Sequence, residues 1–126
     1  MEIVRAMLEA YNSGNMDAWA DFLAPDVSSR PPDGWPEPGP FVGREAVVRQ
    51  YSQQRETFDT DAAEPISDFI DVGDRVAVRL IWLGRGHGPD AKLEMTGLYT
   101  VRKGRIILVE WFWKHQEVLE ALGLSE

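Results

Sequence analysis

The chain has 126 residues, 44% of them hydrophobic and 27% charged, which predicts one soluble globular domain over residues 1–126. Zero cysteines exclude a disulfide framework, thiolate catalysis and cysteine-ligated zinc, and a net charge of −8 has the wrong sign for nucleic acid. No apolar run approaches the roughly 18 residues of a membrane span, and the acidic, amphipathic "MEIVRAMLEAYN" lacks a signal peptide's apolar centre, so a cytoplasmic protein with no membrane partner is expected.

Residues 3–12 place Ile3, Val4, Met7, Leu8 and Tyr11 at helical spacing. "NSG" ends that helix, and Asn15 is positioned to cap a short second one that buries Met16, Trp19, Phe22 and Leu23. "APD" should stop it, leaving 26–30 as a short strand. Residues 31–40, "PPDGWPEPGP", hold five of the eight prolines and predict an irregular loop. Gly43 opens a third helix with Val47, Val48 and Tyr51 on its inner face. The period then changes, and "AEPISDFIDVG", "DRVAVRLIWLG", "KLEMTGLYTV" and "RIILVEWFW" read as four strands.

"VRKGR" matches a three-residue hairpin that sets Val101 opposite Arg105. In that register Tyr99 faces Ile107, Gly97 faces Val109, Met95 faces Trp111 and Leu93 faces Trp113. The other face carries Ile81, Leu83, Leu98, Leu108 and Phe112 among Arg79, Glu94 and Glu110. Both faces are therefore apolar, whereas an antiparallel sheet normally wets one. Three helices cover the first, and a second copy of the chain is expected on the other, giving a homodimer through the outer sheet face. The "EVLEALG" stretch is expected to form a helix closing the roll.

"AYNSGNMDAWADFLAPDV", "FVGREAVVRQY", "DFIDVGDRVAVRL", "YTVRKGRI" and "EVLEALGLSE" come in the order and at the separations of one family. The chain resembles the SnoaL-like branch of the nuclear-transport-factor-2-like superfamily, which includes ketosteroid isomerases, polyketide cyclases and limonene epoxide hydrolases. The resemblance implies an α+β cone-shaped roll. Three N-terminal helices would pack on a curved antiparallel sheet of four long strands plus a short one, with a short C-terminal helix. It also implies a cavity for a small, mainly apolar or aromatic molecule, and chemistry without a cofactor or metal. The positions matching the isomerases' tyrosine, base and protonated acid hold Ala6, Arg30 and Gly97. The cyclases' last-strand aspartate falls at Trp111, and the hydrolases' other carboxylate at about Trp82.

Trp82, Met95, Tyr99, Trp111 and Trp113 fall on one sheet face, either as a solid aromatic core or as the walls of a pocket. With Arg30 and Tyr51 they form the expected ligand-binding set. Arg30, if inward, would hold a carboxylate, enolate or phenolate oxygen. Glu110, next to the relatives' acid, should face outward by strand alternation, near Thr96 and paired with Arg79. His87 beside Asp90 is a weak metal signal, and His115 at the start of the last helix is a candidate general base. No nucleophile stands out, so the reading divides between a cofactor-independent isomerase or cyclase and a non-catalytic ligand-binding or interaction module.

Overall fold

The computed structural model describes residues 2–86 and 88–124. His87 lies outside the described residues. The elements are α1 (Glu2–Asn12), α2 (Met16–Ala20), β1 (Leu23–Arg30), β2 (Phe41–Val42), α3 (Arg44–Glu56), β3 (Thr60–Pro65), β4 (Ile70–Val72), β5 (Arg75–Arg85), β6 (Ala91–Arg102), β7 (Arg105–Phe112) and α4 (His115–Ala121). This is the α+β roll expected, with helices against one face of a curved sheet. It has seven strands, not five, in the order β2-β1-β7-β6-β5-β3, with β4 also on β5. The sheet is mixed, because β1 runs parallel to β7.

Local chemistry explains each boundary. Asn15 Oδ1 accepts from Ala18 N at 3.0 Å, capping α2. The strand after α2 starts at Leu23, not residue 26, because Leu23 already pairs with Ile106 of β7, and Arg44 donates twice to Leu23 O, at 3.1 and 2.7 Å, tying α3 to β1. The stretch expected to be one strand from residue 63 breaks in two. Pro65 ends β3, and Ser67 Oγ takes Arg79 N at 3.0 Å, in place of a ladder partner, before β4 begins. On the edge strand β3, Asn12 pairs with Ala63 through Nδ2 to O at 2.9 Å and Oδ1 from N at 2.8 Å. That carboxamide acts as one residue of an extra strand and docks the end of α1 onto the sheet.

The last hairpin is tighter than expected. Arg102 pairs with Arg105, leaving the two-residue loop Lys103–Gly104, both left-handed at φ 52° and 78°. That is the type I′ pattern matching the sheet's twist. Ile107 is then bulged out, since Val101 pairs with Ile106 and Thr100 with Leu108. Ile106, rather than Ile107, therefore enters the core, and Trp111 lies opposite Gly97 rather than Met95.

The main core lies between α1–α3 and the inner sheet face, around Val4, Leu23, Val27, Val47, Val78, Leu80, Tyr99 and Ile106. A second, smaller core lies on the outer face. There Val118 and Leu122 bury Ala77 and Leu98, with Ile70, Val72 and Phe112 at the margin. Part of the face expected to need a partner subunit is thus covered by the chain's own C-terminal helix.

Candidate functional site

Between the helices and the inner sheet face is a cavity in which about 70 Å³ is open to the centres of water molecules. At roughly 10–15 Å³ per water this holds about five. Its floor is the inner face of β5–β7, with Leu80, Trp82, Met95, Tyr99, Val109 and Trp111. α1 and α2 contribute Met7, Leu8, Tyr11 and Trp19, and α3 contributes Gln50, Tyr51 and Gln54. Pro31, Pro32 and Trp35 of the proline-rich loop close the mouth.

Gly97 sets the shape of the floor. A Cβ there would lie 2.9 Å from Tyr99 Cε2, 3.0 Å from its hydroxyl and 3.1 Å from Trp111 Cζ3. The two rings lean over the bare backbone and meet edge to face, with centroids 6.0 Å apart. Trp111 Nε1 donates to the Tyr51 hydroxyl at 2.8 Å, and that hydroxyl shares a hydrogen bond with Ser29 Oγ at 3.1 Å. Trp19 packs on Tyr51 at 4.9 Å.

One layer behind the wall is a buried ion pair. Asp61, its side chain 3% exposed, meets Arg55 Nε at 2.8 Å. The other carboxylate oxygen accepts from the Tyr11 hydroxyl at 2.5 Å and from Trp82 Nε1 at 3.0 Å. The Arg55 guanidinium lies 4.1 Å above the Tyr11 ring and also donates to Tyr11 O. Tyr11 and Trp82 thereby point their polar ends at Asp61 and leave carbon to the cavity.

Burial pushes the Tyr11 hydroxyl far above its ordinary value, and the hydrogen bond to Asp61 and that residue's charge add to the shift while Arg55 opposes it. Burial also raises Tyr51, against the pull of its bonds to Ser29 and Trp111. Tyr99 is raised well up by burial and by the nearby Tyr51 and Tyr11. All three phenols stay neutral at ordinary pH. They can donate hydrogen bonds but offer no phenolate base. No Asp, Glu or His stands among the described lining residues, and no group of three metal-binding side chains gathers among the described residues.

Of the expected set, Tyr51, Trp82, Met95, Tyr99 and Trp111 lie around the cavity, while two members lie elsewhere. Arg30 is 61% exposed and faces Glu110 at 3.6 Å, because β1 and β7 set the two residues side by side and outward. Trp113 is 41% exposed just past the end of β7. Its Nε1 donates to Asp33 O at 2.8 Å and its ring meets Trp35 at 6.2 Å, so it fastens the loop that closes the cavity. Glu110 does face outward, but its partner is Arg30, since Arg79 is held by Glu94. His115 Nδ1 sits 3.1 Å from Thr96 Oγ1 on the outer face, away from the cavity. Burial and Arg79 lower its pKa.

Trp35, Gln50, Arg55 and Asp61 were not singled out from the sequence, and Tyr11 was named only as part of the apolar face of α1. Gln50 was the most readable of them. Val47, Gln50, Tyr51 and Gln54 follow the i, i+3, i+4, i+7 pattern of one helix face, so two amides stood on the face that Val47 and Tyr51 turn inward.

The SnoaL-like domain profile matches residues 4–109, most of the chain. The chain belongs to the SnoaL-like family. Among solved structures, it is similar to a candidate polyketide cyclase from Sinorhizobium meliloti, at 25% identity and a TM-score of 0.73, covering 88% of this chain and 94% of that one. A Xanthomonas campestris protein of unknown function with a cystatin-like fold superposes with a TM-score of 0.79 at 22% identity, covering 99% and 97%. TerC, crystallised with polyporic acid, gives 0.77 at 20% identity over 97% and 96%. These last two show the fold alone. No curated protein matches the chain in sequence. No helix among the described residues is long and apolar enough to cross a membrane.

Proposed function

We propose that this SnoaL-like protein binds a small, neutral, largely aromatic molecule between its helices and inner sheet face, as a cytoplasmic homodimer, without cofactor or metal. The observation that carries the reading is the construction of the wall. Aromatic rings surround an open volume, and the polar ends of Tyr11, Trp82 and Trp111 are bonded away from it. An apolar cavity with a few polar groups is what recognition of such ligands needs. A candidate polyketide cyclase among the structural relatives is consistent with an aromatic ligand. The homodimer rests on Ile81, Leu83 and Leu108, which lie on the outer face outside the small core under α4.

The absence of acids from the lining favours holding a molecule over transforming it. An isomerase or cyclase of this family's kind moves protons, and general-base catalysis alone contributes about 10²–10⁴-fold. Here Asp61 has its oxygens occupied by Arg55, Tyr11 and Trp82.

Titration with small aromatics such as phenol, indole and naphthalene, followed by tryptophan fluorescence and melting temperature, tests the binding reading. Occupancy at 100 times the dissociation constant should stabilise the fold by about 2.7 kcal/mol. Ala63→Leu, which fills the cavity from β3, should abolish the response while leaving the fold intact. Saturable binding that persists unchanged in Ala63→Leu would move the site elsewhere. Measurable turnover of a ketosteroid would refute the non-catalytic reading.

A further inference from the structure

Among the described residues, Gln50 Oε1 is the buried side-chain oxygen or nitrogen without a hydrogen-bond partner. The residue is 8% exposed and lines the cavity from α3, one position before Tyr51. Three donors of the cavity wall are committed elsewhere. The Tyr11 hydroxyl and Trp82 Nε1 go to Asp61, and Trp111 Nε1 goes to Tyr51. Across the cavity Tyr99, itself 1% exposed, presents a neutral hydroxyl that bonds to none of the described residues. Native proteins satisfy nearly all buried polar atoms, so an orphan acceptor in a cavity wall needs an explanation.

We infer that Gln50 selects the ligand: the cavity takes a flat aromatic molecule that carries an O–H or N–H on its edge, and that hydrogen is donated to Gln50 Oε1. This rests on the binding reading above and adds the chemical class to it. No donor among the described residues reaches the acceptor, and an unpaired buried acceptor is costly. A phenol-like or indole-like molecule entering the cavity supplies the missing donor while its ring lies against Trp111, Tyr99 and Trp19. A hydrocarbon of the same shape gains the ring contacts but leaves the acceptor unpaired. An anion is disfavoured, because no cationic side chain stands among the described lining residues and Arg55 is spent on Asp61. Sites built around such a buried polar group discriminate strongly against a ligand lacking its complement.

The test compares phenol with toluene, which differ by a hydroxyl in place of a methyl, on wild type and on Gln50→Leu. Comparing the ratio of dissociation constants across the two proteins cancels the different hydration of the two probes. Toluene should bind both proteins. The preference for phenol should fall about tenfold or more in Gln50→Leu, as expected for one buried hydrogen bond. Without ligand, Gln50→Leu should melt at or above the wild-type temperature, because it removes an orphan acceptor; Gln50→Met serves if the leucine variant does not fold. A ratio unchanged within about twofold would overturn the assignment while leaving the binding reading standing. A lower melting temperature for both variants would also overturn it, by showing that Gln50 already has a partner in solution. If neither probe binds wild type, both readings fall together.

Discussion

Gly97→Ala is the most direct probe of how the cavity floor is built. Gly97 sits in the middle of β6 without a positive φ, so alanine fits the backbone and the substitution acts through space alone. The added methyl would meet the Tyr99 ring edge at 2.9 Å and Trp111 at 3.1 Å, each several tenths of an ångström inside ordinary contact. Tyr99 is 1% exposed, so its ring has nowhere to retreat but the cavity. Overpacking of this kind costs about 1–3 kcal/mol, and replacing a strand glycine returns about 0.5–1 kcal/mol. The net loss is then about 1 kcal/mol, a fall of roughly 4 °C in melting temperature for a chain of this size. Calorimetry with a phenol titration followed by tryptophan fluorescence would measure both effects. Stability should drop by that modest amount, while affinity should drop by much more, since the displaced rings occupy the ligand's space. A variant with unchanged stability and unchanged affinity would refute the close approach of the two rings to Gly97.

The remaining predictions concern the surrounding frame. All three tyrosines of the chain have raised pKa values in the folded state, so the unfolded chain loses protons first as pH rises. Stability should be fully present below pH about 10 and then decline, with a limiting slope of about 4 kcal/mol per pH unit for three groups; phenolate absorbance appearing well before unfolding would contradict this. Asp61→Ala strands Arg55 as a buried charge and should cost about 3–5 kcal/mol in denaturant unfolding; a loss under 1 kcal/mol would mean that solvent reaches the pair. Trp113→Phe keeps the ring but drops the bond to Asp33 O, so hydrogen exchange in loop 31–40 should accelerate with little change in melting temperature; unchanged exchange would deny Trp113 its part in closing the mouth. Leu108→Glu, on the open part of the outer face, should convert a dimer to monomer in sedimentation; a monomeric wild type would end the dimer proposal.

The inner face of the sheet was readable, although the hairpin behind it was misjudged. The expected three-residue turn became a two-residue one, because Lys103 accepts a left-handed backbone that sequence rules reserve for glycine and asparagine. That change alone would have sent every β7 side chain to the opposite face. The bulge at Ile107 adds a second shift of one residue, so the faces from Val109 onward return to the expected sides. Trp111 faces the helices through two displacements that cancel. Only the second half of β3 was expected, merged with β4, because "TDAAEP" has no apolar alternation; it is an edge strand anchored by the Asn12 carboxamide. The landing place of α4 was also hidden, since helical periodicity shows that a face will be buried but not against which side of a sheet.

The chemistry of the site was less legible than its position, and the reason lies in how polar atoms pair. Sequence position put Trp113 inward and left the direction of Arg30 open, but an arginine beside Glu110 and an indole beside a free loop carbonyl find cheaper partners outside. Asp61 does the reverse. It is one of 21 acidic residues in the chain, and only the approach of Arg55, Tyr11 and Trp82 from three separate elements makes its burial tolerable. Such a network has no local signature. Its consequence for the cavity is general, however. Each ring that spends its polar end on a partner behind the wall presents only carbon in front. In a wall built that way, specificity falls to the polar atoms the pairing leaves over, and Gln50 Oε1 is the buried acceptor among them.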